Sequence, residues 1–104
     1  MSTYEKSKKK ILVVDDSELN RAILADMLKD DYEILEARDG VEAVATVQQH
    51  DNEIALMLLD IVMPKMDGFE VLKVMNKGGW IDHIPVIIIS AEASSQYISK
   101  AYDM

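Results

Sequence analysis

The amino-acid sequence predicts an α/β fold, a doubly wound parallel sheet in a single domain. Three observations carry this. Short apolar runs of strand length, Ile11-Leu12-Val13-Val14, Ile54 to Leu59 and Val86 to Ile89, are separated by segments of helical periodicity. Strands and helices alternate as βαβαβαβα, an order that favours right-handed crossovers and helices on both faces of the sheet. Each apolar run also stops at polar residues: Asp15-Asp16-Ser17, Asp60 and Ser90-Ala91. In open α/β sheets, ligands bind outside the carboxyl ends of the strands. Three carboxylates and a hydroxyl from distant parts of the chain are thus expected at one edge.

The elements follow in order. After the first strand, Ser17 caps a helix whose apolar stripe is Leu19, Ile23 and Met27, with Leu24 and Leu28 beside it. Tyr32 to Ala37 forms the second strand. Asp39 caps the next helix, and Glu42 stands at capping-box spacing. Its apolar side is Val41, Val44, Ala45 and Val47. Ile54 to Leu59 is the third strand. A helix from about Gly68 to Asn76 buries Phe69, Val71, Leu72 and Met75, and Gly78-Gly79 ends it. Pro85 opens the fourth strand, where its missing N–H does little harm. Ser94 to Tyr102 has helical spacing through Tyr97, Ile98, Ala101 and Tyr102. Trp80 follows the third helix and is expected at the end opposite the acidic residues.

Composition narrows the function classes. A chain of 104 residues, about half of them apolar, has room for one domain with a real core. No stretch approaches the roughly 20 apolar residues that span a membrane. The lysine-rich start does not fit a secretory signal. The absence of cysteine excludes disulfides and thiolate metal sites, and fits a reducing, cytoplasmic location. Nineteen acidic residues against eleven basic ones give a formal charge of −8, which argues against nucleic-acid binding. Lys8-Lys9-Lys10 reads as a solvated lead-in to the first strand.

Adjacent aspartates joined by a third from a neighbouring strand make an oxygen-rich cluster. Such carboxylates repel one another, so the site should bind a cation or hold a proton. A hard cation such as Mg²⁺ suits carboxylates, carbonyls and water, often beside a substrate phosphate. His50 and His83 lie outside the cluster and read as surface residues without a role. With charge cancelled, Asp60 could act as a nucleophile on phosphorus, giving an acyl phosphate. In the loop after Asp60, Pro64 adds stiffness and Gly68 admits a sharp turn. Ser90 can donate to a phosphoryl oxygen, and small Ala91 leaves room for the group. Asp67 reads as a helix cap rather than a ligand. Taken singly, Asp15-Asp16, Asp60 and Ser90 also suit ordinary turns and strand ends. Their combination at successive strand ends is what points to a site.

Ile11-Leu12-Val13-Val14-Asp15-Asp16, then Asp60-Ile61-Val62-Met63-Pro64-Lys65-Met66-Asp67-Gly68, then Pro85-Val86-Ile87-Ile88-Ile89-Ser90-Ala91 resemble the receiver domains of bacterial two-component response regulators. The resemblance spans residues 9–104, with residues 1–8 as a polar lead-in. It implies a flavodoxin-like sheet of strand order 2-1-3-4. It implies that Asp60 accepts a phosphoryl group from a histidine kinase or phosphotransfer protein. Mg²⁺ would be held by Asp15, Asp16, Asp60 and the main-chain carbonyl of Val62, and Ser90 would be the hydroxyl switch. Such a module assists its own phosphorylation but is not a turnover enzyme.

One departure stands out. The family carries a functional lysine at the end of a fifth strand, which would begin just beyond Met104. No residue here takes that role, and Lys100 lies on the last predicted helix. The chain therefore reads as a receiver domain shortened at its C-terminal end, without the fifth strand and last helix. That leaves the fourth strand as an apolar edge open to dimerisation or strand exchange. Two rivals remain at this level. An aspartyl phosphatase would want a second acid two residues after its nucleophile, where Val62 stands. A degenerate receiver would bind partners without phosphorylation, but Asp15, Asp16, Asp60 and Ser90 are all present.

Overall fold

A computed structural model of the chain describes residues 8–61, 63 and 66–89. Its elements are β1 (Lys10–Val14), α1 (Glu18–Leu28), β2 (Glu33–Ala37), α2 (Gly40–His50), β3 (Ile54–Leu59), α3 (Gly68–Gly78) and β4 (Val86–Ile88). Short 3-10 turns, Asp51–Glu53 and Trp80–Asp82, precede β3 and β4. The helix expected over Ser94 to Tyr102 lies outside the described residues. All pairings are parallel and the strand order is β2-β1-β3-β4, as expected.

The sheet is covered on both faces. Leu12, Val14, Met57 and Leu59 point to the side where α2 contributes Ala43 and Val47 and α3 contributes Val71, Leu72 and Met75. Ile11, Val13 and Leu58 point to the other side, against Leu24 and Leu28 of α1. β1 sits between two neighbours and buries four of its five residues, which is why it reads as a continuous apolar run.

Sequence punctuation sets the helix ends. Ser17 accepts from the Asn20 N–H, Asp39 from that of Glu42 and Asp67 from that of Glu70, at 3.2, 2.8 and 3.0 Å. Glu42 does reach back, but to the N–H of Arg38 rather than to that of the cap residue Asp39. α3 ends on Gly79 at φ 81°, the left-handed position glycine fills without strain.

Two helix faces differ from expectation. On α1 the stripe Leu19, Ile23 and Met27 faces outward, with Leu19 68% and Met27 71% exposed. Its inner face is Leu24 and Leu28, joined by the largely covered Arg21. On α2, Gly40, Ala43 and Val47 point inward, whereas Val41 and Ala45 are exposed. The inner faces of both helices are chosen by contacts that hydrophobicity does not encode: Arg21 has polar partners underneath, and Gly40 lies against Met66.

Candidate functional site

β1 and β3 run side by side and end level. The Asp60 N–H donates to the Val14 carbonyl at 2.8 Å, and the Asp15 N–H donates to the Ala37 carbonyl of β2 at 3.1 Å. The ends of three strands thereby bring the acids together. One carboxylate oxygen from each of Asp15, Asp16 and Asp60 lies within 4.8 Å of the others. Asp15 and Asp60 are only 5% and 7% exposed, while Asp16 is open to solvent. β4 reaches the same edge, where the Ile89 N–H donates to the Leu59 carbonyl at 3.0 Å. Val62 and Ser90 lie outside the described residues.

Asp15 is fixed at every polar atom. Its Oδ1 accepts from the Ser17 N–H at 2.9 Å and its Oδ2 from Asn20 Nδ2 at 3.4 Å. Its carbonyl accepts from the Arg21 guanidinium at 2.6 Å, and Arg21 also pairs with Glu36 of β2 at 3.1 Å. Asp15 is therefore held in one rotamer before any ligand arrives, whereas Asp16 keeps its carboxylate at the surface. The sequence reading missed Asn20 and Arg21. Their signal was a polar pair in the first turns of the helix that follows Asp15-Asp16.

The loop after Asp60 returns to start α3, with the Gly68 N–H donating to the Ile61 carbonyl at 3.0 Å. Gly68 does not have the positive φ that would demand glycine for a sharp turn; among the glycines only Gly79 has it. Its requirement is space. A Cβ there would lie 2.7 Å from the Asp60 carbonyl oxygen and 2.7 Å from Ile61 Cα. Asp67 caps α3, as its position suggested.

The donor set fits a hard divalent cation, since it consists of carboxylate oxygens alone. The two histidines lie away from it and have partners of their own. His50 Nδ1 meets Glu53 at 2.8 Å and His83 Nε2 meets Asp51 at 2.5 Å, around the turns that lead into β3 and β4. Beside the acids, Asp15, Asn20, Ile23, Leu24 and Ile89 line an open groove of about 250 Å³.

Residues 11–104 match the response regulator receiver domain family. The chain belongs to that family. It is a receiver domain of two-component signalling, a phosphoacceptor family. It is 40% identical over 95 residues to response regulator RR06 of Streptococcus pneumoniae, covering 90% of this chain and 42% of that protein. The chemotaxis protein CheY4 of Vibrio cholerae superposes with a TM-score of 0.83 at 30% identity, over 93% of this chain and 80% of that one. A CheX–CheY–BeF3–Mg²⁺ complex from Borrelia burgdorferi matches with a TM-score of 0.77 at 31% identity, over 93% and 72% of the two chains. The receiver chain spans less than half the length of the first curated relatives it matches. No helix among its described residues is long and apolar enough to cross a membrane.

Proposed function

We propose that this receiver domain takes a phosphoryl group onto Asp60, with Mg²⁺ held by Asp15, Asp16, Asp60 and the main-chain carbonyl of Val62. The observation that carries the reading is the convergence of three carboxylates from two separate strands within 4.8 Å at the carboxyl edge of the sheet. The Mg²⁺ named with the Borrelia burgdorferi complex belongs to that protein, and it supports the same chemistry here. When bound, the cation offsets the charge of the cluster and of the incoming phosphoryl oxygens.

The chain's own residues do the rest. A carboxylate oxygen of Asp60 attacks phosphorus and forms the acyl phosphate. The bond from phosphorus to the donor breaks, and its electron pair leaves with the imidazole of a phosphohistidine or the oxygen of a small phosphodonor. Asp15 is already fixed by Ser17, Asn20 and Arg21, so little ordering is required of it. Ser90 follows Ile89 in sequence, and its hydroxyl serves as donor to a phosphoryl oxygen. The donor is a histidine kinase or phosphotransfer protein, and read-out is a conformational change. The domain turns over no substrate of its own.

Intact mass before and after incubation with Mg²⁺ and a small phosphodonor tests the reading, with Asp60→Asn as control. One phosphoryl increment that requires Mg²⁺ and is lost in Asp60→Asn is the expected result. No increment in the wild type rejects it in favour of a degenerate receiver that binds partners without phosphorylation. Turnover of a generic phosphate ester would favour an aspartyl phosphatase instead.

A further inference from the structure

We infer that Gly68 is a positioning residue for Asp60, acting by backbone contact with no side chain between them. The inference deepens the phosphoacceptor reading and rests on it for its functional consequence. Three constraints act on the backbone of Asp60 and Ile61, one on each of three successive peptide groups. The Asp60 N–H is tied to Val14 at 2.8 Å, and the Ile61 carbonyl accepts from the Gly68 N–H at 3.0 Å. The bare Cα of Gly68 closes the third side, where a Cβ would stand 2.7 Å from the Asp60 carbonyl oxygen, 2.7 Å from Ile61 Cα and 3.3 Å from the Asp60 carbonyl carbon.

These are main-chain atoms, so no rotamer change relieves the overlap. Either the Asp60–Ile61 peptide moves, which displaces Asp60 from Asp15 and Asp16, or α3 withdraws, which loosens the Gly68–Ile61 hydrogen bond that holds the backbone just after Asp60. Gly68 is buried and needs no left-handed backbone, so close approach is the physical reason for glycine there. Asp67 supports the arrangement by capping the first turn of α3 through Glu70.

Gly40 is the matching control. A Cβ on it would meet the Met66 carbonyl oxygen at 2.3 Å and Met66 Cβ at 2.6 Å. It therefore presses on the far end of the same loop, away from the Asp60 peptide.

Amide hydrogen exchange and Mg²⁺ titration of the 15N-labelled chain test the inference in wild type, Gly68→Ala and Gly40→Ala. In Gly68→Ala the Asp60 amide should exchange about tenfold faster while the β1 amides keep their wild-type rates. Mg²⁺ affinity should fall at least about tenfold, as happens when a ligand loses its support. In Gly40→Ala, Asp60 keeps its protection and its affinity. A merely structural glycine would instead raise all core exchange rates together. If Asp60 protection and Mg²⁺ affinity are unchanged in Gly68→Ala, or fall equally in Gly40→Ala, the inference is overturned. Should Gly68→Ala not fold, Asp67→Ala carries the test through the loosened first turn, with Asp60 exchange expected to rise about threefold; no rise overturns the inference. A wild type that ignores Mg²⁺ defeats the phosphoacceptor reading, while the Asp60 amide still decides the role of Gly68.

Discussion

The Arg21 guanidinium donates to the main-chain carbonyl of Asp15 at 2.6 Å, so a helix side chain fixes the peptide that joins the two adjacent acids. The same group pairs with Glu36 on β2, and its side chain is only 13% exposed. Removing it strands a carbonyl at the site and breaks the tie between α1, β1 and β2. Arg21→Gln should cost about 1–3 kcal/mol in urea unfolding, the usual range for a charge-assisted bond lost from a covered site. It should also weaken Mg²⁺ binding. Arg21→Lys should fall between the two, because one ammonium cannot span both partners as the guanidinium fork does. Unfolding that leaves Arg21→Gln as stable as wild type would contradict this account.

The extent to which the sequence was readable follows from these contacts. Buried parallel strands advertise themselves, because both faces must be apolar; Ile54 to Leu59 was delimited to the residue. α3 was equally legible, since Phe69, Val71, Leu72 and Met75 lie on one helical face and all are buried, with Val74 alone of its apolar side chains partly exposed. α1 was not. It carries apolar residues on two adjacent strips, 19-23-27 and 24-28, and both have helical spacing. The sheet took the second strip because Arg21, on the same side, reaches Asp15 and Glu36. An arginine on an inner face carries no hydrophobic signal. α2 misled for a related reason. Its inner face begins with Gly40, chosen for approach to Met66, and continues through Ala43. At the site, the acids were legible as interruptions at strand ends. Their supports were not: Asn20 and Gly68 act through geometry that appears only once the chain is folded.

Cation binding should register as stability. Three carboxylates gathered within 4.8 Å repel one another, and only the folded chain holds them together. Mg²⁺ at a hundredfold excess over its Kd should therefore add about 2.7 kcal/mol. For a domain of this size, that raises Tm by roughly 10 °C or more. Asp16→Asn should lose the increment, yet be at least as stable as wild type without Mg²⁺, because one repelling charge is gone. Calorimetry with and without Mg²⁺, at matched ionic strength, checks both signs.

The acid limb of stability should carry a signature of Glu53. His50 beside it, and then Lys10 at 3.3 Å, hold its carboxyl below the ordinary glutamate value. A depressed folded pKa means the unfolded chain takes up the proton first as pH falls. The contribution is therefore present above the unfolded value, about 4.3, and is lost as pH drops through the folded one. Glu53→Gln should be slightly less stable than wild type at pH 7 and converge with it towards pH 3. Parallel stability curves from pH 7 to pH 3 would remove this assignment.

Self-association through β4 is the remaining expectation, and the edge has the features it needs. Among the described residues β4 pairs only with β3, through Met57–Val86, Leu58–Ile87 and Leu59–Ile88. Its central residue, Ile87, is 51% exposed. A strand edge with an exposed apolar side chain is a template for a second copy, and natural edges block this with lysine. The formal charge of −8 opposes the encounter, and salt screens that repulsion beyond about 10 Å at 0.1 M. Association should therefore grow with both protein concentration and ionic strength. Ile87→Lys should abolish it at a stability cost within about 0.5 kcal/mol, as for an ordinary surface change. Sedimentation velocity of the two proteins at low and high salt gives the answer. A wild type that stays monomeric throughout, or an Ile87→Lys variant that associates equally, would show that the β4 edge does not recruit a second copy.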